Sequence, residues 1–276
     1  MDIGDVQMDD DAFGLSMGSD GPKSDLYQDA AVVELETFFK NHRDQVFFSR
    51  QIEVRYEKDW FHWITNRALR ELITRGVIQD ERRRISGNRS VHLMWHRSNR
   101  YYKRGADRLA RLVEKYSDPN IAVALGLQGE MMVLEGFARR QFLTVGRNTN
   151  EFRSVKWKHT EHNLDFIFEK DGISYGVEVK NTLGYMPHDE LEMKIEMCET
   201  LGLTPVFVVR MLPKSWIKEI TDARGFALIL KYQLYPWAHR ELARTIRDEL
   251  GLPVDTPKAL EDGTIDRFMR WHVKNL

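Results

Sequence analysis

A chain of 276 residues with 42% hydrophobic side chains can bury one large core or two modest ones. Its single cysteine, Cys198, excludes an internal disulfide framework and a cysteine-based zinc site. No secretory leader or apolar run of transmembrane length stands out, so the expectation is a cytoplasmic protein with no membrane partner.

The net charge of -1 is unevenly spread. Residues 1–27 carry seven acids against Lys23 and show no helical or strand period, which predicts an acidic disordered tail. Between Arg50 and Arg111, 16 basic residues stand against 7 acids, a surplus suited to meeting a polyanion.

Val32, Leu35, Phe38 and Phe39 recur at helical spacing and predict a helix over 31–41. Ser49 reads as the cap of a short second helix. A third helix is expected over 58–75, with Trp60, Ile64, Leu69, Leu72 and Ile73 inward and Asn66, Arg67, Arg70 and Arg75 outward, ended by Gly76. Two strands, 77–85 and 90–95, flank Ser86, Gly87 and Asn88. Three helices followed by a basic two-stranded hairpin resemble a winged helix-turn-helix domain over residues 28–97. The resemblance implies DNA binding, with the third helix in the major groove and Arg82, Arg83, Arg84 and Arg89 of the wing along phosphates. The alternative is a protein-contact module whose arginines form a solvated strand edge.

Residues 98–120 read as a basic connecting helix bearing Tyr101, Tyr102, Leu109 and Leu112, stopped at Asp118, Pro119 and Asn120. A second domain is expected over 121–235. It opens with a helix to Arg140 that turns Leu127, Met131, Leu134 and Ala138 inward and carries Glu130, with Glu135 as the alternative acid. A strand over 141–145, a polar loop over 146–150 and a strand over 152–157 follow.

Leu164 to Lys180 then reads as two apolar strands joined at Asp171 and Gly172, which accept the positive φ of a tight hairpin. Asp165 opens the first strand, while Glu178 and Lys180 end the second on one face, because strand side chains alternate with a period of two. Two carboxylates and an ammonium at one edge of a buried hairpin require each other or a cation. Magnesium, with manganese as its substitute, suits such hard oxygen ligands, and the chemistry it would serve is phosphodiester hydrolysis. The alternative is a surface hairpin carrying an ordinary Glu178–Lys180 pair.

A helix over 188–201, a strand over 205–210, a helix over 214–224 and a strand over 225–230 complete a mixed sheet covered by helices on both faces. The fold class is thus α/β, and α+β for the whole chain. His188 can approach the acidic edge from the loop after Lys180. A helix with Glu130, strands, Asp165, then Glu178-Val179-Lys180, a helix and a buried strand resemble the PD-(D/E)xK nuclease superfamily, which includes restriction-endonuclease-like folds and archaeal Holliday-junction resolvases. By that resemblance the protein is a magnesium-dependent DNA endonuclease. Asp165 and Glu178 bind the metal, Val179 offers its backbone carbonyl, Lys180 orients or activates water, and Glu130 helps to hold metal or water, with Lys194 as an accessory position.

The proline that names the motif is absent, since Asn163 and Leu164 precede Asp165. Two alternatives stay open: a structure-selective repair or junction-resolving nuclease, and a non-catalytic DNA-binding regulator on a degenerate nuclease fold. No Gly-rich phosphate loop is present, so no nucleotide triphosphate is expected. Residues 236–276 read as a helical extension that packs on the sheet or contributes to a homodimer.

Overall fold

The structure, a computed structural model, describes residues 26–87 and 89–276. The expected acidic tail lies outside the described residues except for Leu26 and Tyr27, which open the first helix instead, and Asn88 of the expected turn also lies outside them. The chain divides into two compact units. Described residues up to Ile121, with Thr245–Leu252, form the first, and Ala122–Arg244 with Pro253–Leu276 form the second.

The first unit runs through α1 (Leu26–Asn41), β1 (Val46–Phe48), α2 (Ser49–Arg55), α3 (His62–Thr74), β2 (Ile78–Arg84), β3 (Ser90–His96) and α4 (Tyr102–Tyr116). Its core gathers Leu35, Phe38 and Phe39 of α1, Phe47 of β1 and Leu69 and Leu72 of α3. Three antiparallel strands lie in the order β1-β3-β2, not the two expected. The added strand is Val46–Phe48, whose aromatic side chains are buried beside β3. Ser49 does not cap α2: the cap position is Phe48, which makes no side-chain capping bond, and Ser49 is buried. The supposed connecting helix is part of this unit, because α4 buries Ala106, Leu109, Leu112 and Val113 and stacks Tyr102 on Trp95 with ring centroids 4.0 Å apart.

Beyond it come α5 (Pro119–Arg139), β4 (Leu143–Thr149), β5 (Glu151–Phe152), β6 (Val155–Lys156), β7 (Leu164–Lys170), β8 (Ile173–Lys180), α6 (His188–Leu201), β9 (Thr204–Val209), α7 (Lys214–Asp222), β10 (Phe226–Ile229), β11 (Gln233–Leu234), α8 (Arg240–Leu250), β12 (Val254–Asp255) and α9 (Asp262–Lys274). A five-stranded mixed sheet, ordered β10-β9-β8-β7-β4, forms the centre of the second unit. Strands β8, β9 and β10 are parallel, and β7 pairs antiparallel with β8 and β4. Alternation along the strands feeds two cores. Phe166, Phe168, Tyr175, Val177, Val206 and Val208 pack against Val133 and Phe137 of α5 and Phe268 of α9. On the other face, Ile167 meets Met197 and Cys198 of α6, while Phe207 and Val209 meet Leu191 of α6 and Trp216 of α7.

Two expectations need correction. The inward face of α5 is Leu125, Met132, Val133 and Phe137, whereas Leu127 and Met131, expected inside, are 48% and 60% exposed. This helix is apolar on nearly every side, so its periodicity does not mark a buried face. By length and composition α5 is also long and apolar enough to cross a membrane; here its inner side is core. The polar loop expected over 146–150 is mostly the second half of β4, whose register shifts between Thr144 and Gly146. A Cβ on Gly146 would lie 2.9 Å from the Thr149 side chain and 3.1 Å from that of Ile167, so any side chain at the bulge would displace one of them. Residues 236–276 pack on the sheet, the first of their two expected roles: β12 pairs with β11, and α9 supplies Ile265 and Phe268 to the core.

The hairpin expected at Asp171 and Gly172 forms with φ of 52° and 81° at those residues. Its tip is tied to α9. The Tyr175 hydroxyl lies 2.6 Å from His272 Nδ1, and His272 Nε2 lies 3.0 Å from Asp171 Oδ2. Both rings are buried, and burial raises the Tyr175 pKa above its ordinary value, so the phenol stays protonated and donates to the imidazole.

Candidate active site

Strand pairing between β7 and β8 ends at Phe166 and Val177, one residue short of Asp165 and Glu178. The Asp165 carboxylate takes the place of the next backbone acceptor, with Oδ2 receiving the Val179 N–H at 2.7 Å. Glu178 and Lys180 share the α6-facing side of β8 with Gly176, whose missing Cβ leaves room for Cys198 of α6. Lys194, one turn before Cys198 on α6, therefore arrives above Glu178. Its Nζ lies 2.6 Å from Glu178 Oε2 and also donates to the Asn163 carbonyl. Lys180 Nζ is 2.8 Å from Glu190 Oε1 and 3.6 Å from Glu178 Oε1.

The electrostatics follow from burial. Desolvation pushes the Asp165 carboxyl up to about 6, against the opposing Val179 hydrogen bond and Lys194 charge, with the Glu130 charge adding to the rise. Desolvation and then the neighbouring Asp165 charge raise Glu178 further, with Lys194 and Lys180 only partly offsetting them. For Lys180, burial acts downward, but Glu178 and Glu190 together outweigh it and hold the ammonium above its ordinary pKa.

The structure thus gathers Asp165, Glu178, Lys180, Lys194 and, from α5, Glu130. Glu130 is half-buried and 3.6 Å from Arg147, while the alternative Glu135 is exposed and pairs with Arg139 at 2.7 Å. His188 is not brought to this group. Its Nε2 lies 2.8 Å from Glu219 of α7 and its ring lies on Trp216, so the expected accessory role has no geometric basis.

Among the described residues, the His and carboxylate atoms that all lie within 4.8 Å of one another are those of His188, Glu192 and Glu219, not those of Asp165, Glu178 and Glu130. Without a cation, buried carboxylates repel, and Glu178 is drawn to Lys194. The donor set itself fits a hard divalent ion: two carboxylates raised by burial, a third acid alongside, and oxygen atoms only.

Two residues escaped sequence reasoning. Glu190, in the first turn of α6, reads locally as an ordinary complement to the helix dipole, and only the fold brings it to Lys180. Asn181, next to Lys180, is buried and clamps three elements. Its Nδ2 donates to the Leu125 and Leu234 carbonyls at 2.8 and 2.7 Å, and its Oδ1 accepts from Leu234 N–H at 2.7 Å. Gly129 of α5 permits this approach, because a Cβ there would fall 2.8 Å from that of Asn181. Asn181→Ala should cost about 3 kcal/mol in urea unfolding, since it orphans a buried N–H and two carbonyls. A loss below about 1 kcal/mol would show that the clamp is dispensable.

The wing and helix residues expected to meet DNA are distributed unevenly. Arg67, Arg70, Arg82 and Arg84 are exposed, and Asn66 is half-buried. Arg75 pairs with Glu71; Arg83 is held by Glu81 at 2.9 Å and by Asp107; Arg89 Nε donates to the Ser86 carbonyl at 2.8 Å. No family model, curated protein or solved structure matches this chain, so the case for any chemistry rests on its own residues and geometry.

Proposed function

We propose that the protein is a magnesium-dependent DNA endonuclease of the PD-(D/E)xK type, with the second unit as its restriction-endonuclease-like catalytic domain and the first as a winged helix that binds DNA. The observation that carries this reading is the convergence of Asp165, Glu178 and Lys180 where β7 and β8 part, with both carboxylates raised by burial. The order α1-β1-α2-α3-β2-β3 and the exposed arginines of α3 and β2 support the winged-helix part.

Asp165, Glu178 and the Val179 carbonyl would hold the metal, with Glu130 contributing directly or through water. Bound there, magnesium supplies Lewis-acid polarisation of a phosphoryl oxygen and lowers the pKa of a coordinated water, and manganese can substitute. The chain's own part is orientation and charge. Val179 N–H fixes the Asp165 rotamer, and Glu190 holds the Lys180 ammonium at the site rim, where it can donate to the attacking water or to a phosphate oxygen. Lys194 keeps Glu178 in place by a charge-assisted hydrogen bond.

A non-catalytic DNA-binding regulator is the second reading, favoured by the Lys194–Glu178 pair, which can neutralise the buried acid with no metal at all. The deciding experiment incubates the protein with supercoiled, linear and branched DNA, with magnesium, manganese or a chelator. The expected result is strand cleavage only with the divalent ion. Intact DNA in every lane, together with no heat of metal binding, would leave the regulator.

A further inference from the structure

We infer that the outer face of α4 is a phosphate-backbone binding surface for duplex DNA. This surface is distinct from the α3 and wing residues and rests on the reading that the chain acts on DNA.

The charges of α4 are sorted into two stripes. At 100° per residue, Asp107 and Glu114 fall on one side of the helix. Both are used within the unit. Asp107 binds the Arg83 guanidinium, and Glu114 accepts from the backbone N–H of Ser86 at 3.0 Å and from its hydroxyl. The acids thus hold the β2–β3 hairpin against the helix. Arg104, Arg108 and Arg111 occupy the adjacent, solvent-facing stripe at i, i+4 and i+7, opposite the buried Leu109 and Val113. Tyr101, which is 89% exposed, and Gly105 adjoin them on the same open surface.

Two consequences bear on what covers that surface. Three guanidiniums on one exposed stripe repel one another in the absence of an anion, and among the described residues only Arg108 of the three has a carboxylate beside it, Glu249 at 2.8 Å. From Arg104 to Arg111 the helix rises about 10.5 Å, roughly three inter-phosphate steps along the axis of one strand. Guanidiniums offer planar paired donors to phosphate oxygens, and the Tyr101 hydroxyl adds a further donor beside them. An extended polyanion of regular charge spacing matches this array better than a compact anion does.

The test measures binding of a fluorescent DNA duplex to the full chain carrying Asp165→Asn, without divalent ions, across a salt series. Arg104→Gln, Arg108→Gln and Arg111→Gln together should weaken binding at least tenfold and flatten the log–log salt slope by about 2.7, corresponding to three lost phosphate contacts. The three side chains are exposed, so thermal melting should be unchanged. Glu249→Gln, which releases Arg108, should tighten binding a few-fold and so checks the surface in the opposite direction. Unaltered affinity and slope in the triple variant would overturn the proposal, as would a parent protein that does not bind duplex DNA. Parent protein that binds DNA, loses binding in the triple variant, and yet never cleaves DNA with the wild-type site would refute the nuclease reading while upholding this surface.

Discussion

Replacing Asp165 by asparagine is expected to abolish divalent-ion binding and to reduce DNA cleavage by at least 10³-fold, equivalent to about 4 kcal/mol of transition-state stabilisation. It should do so while making the metal-free protein more stable at neutral pH. The amide oxygen can still accept the Val179 N–H, so the local geometry has a replacement acceptor, while the buried charge is gone.

The sign of the pH effect follows from the carboxyl being raised. In the folded metal-free protein it titrates at about 6, above its unfolded value near 4, so the folded state holds the proton more tightly. The penalty is absent below about pH 4, grows between 4 and 6, and is complete above that range, where ionising the buried carboxyl costs roughly 3 kcal/mol at most. Metal-free wild type should therefore lose stability as pH rises through this window, and Asp165→Asn should lose less. Glu178 titrates in the same direction and keeps part of the slope in both proteins. Wild-type cleavage by the variant would remove Asp165 from the site. A variant less stable than wild type at pH 7.5 would show that the carboxylate is stabilising rather than strained.

Lys180→Ala should lower turnover by about 10²- to 10⁴-fold, the range for losing one preorganised donor or proton-transfer group, and leave metal affinity and DNA affinity close to wild type. Lys194→Met is the informative companion. Lys194 is buried against Glu178, so its loss leaves that buried carboxylate only the more distant Lys180 and should cost about 3 kcal/mol of stability, more than any effect of Lys180→Ala. The same logic limits Glu178→Ala, which would leave the Lys194 ammonium buried with the Asn163 carbonyl as its remaining partner in this site. If Lys180→Ala cleaves at the wild-type rate, Lys180 is only the surface partner of Glu190.

How much of this could be read from the chain depended on the type of element. The hairpin was legible residue by residue, because a period of two and the Asp171-Gly172 turn fix both register and face. Asp165, Glu178 and Lys180 came with it. Glu130 also reached the site, although the inward face of α5 was misread, since a helix apolar on nearly every side gives no phase. Partnerships across elements were beyond reach. The resemblance offered Lys194 as an accessory position but not its direct pairing with Glu178, and Glu190 and His188, two residues apart on α6, part company only in three dimensions, one meeting Lys180 and the other Glu219. The bulge that continues β4 through Arg147 to Thr149 hides behind polar residues that read as loop.

The position of α9 in the core has a consequence for how the protein is made. Synthesis delivers Asp165, Glu178 and Lys180 about 90 residues before Phe268, or roughly 5 to 20 s at ordinary elongation rates. Until α9 emerges, the sheet face bearing Phe166, Phe168 and Tyr175 lacks its cover, and the Tyr175–His272–Asp171 tie cannot close. A nascent chain on the ribosome therefore carries every residue of the candidate site without the finished core that would hold them in register. If the site hydrolyses nucleic acid, the newly made protein gains that activity only after α9 has emerged and packed.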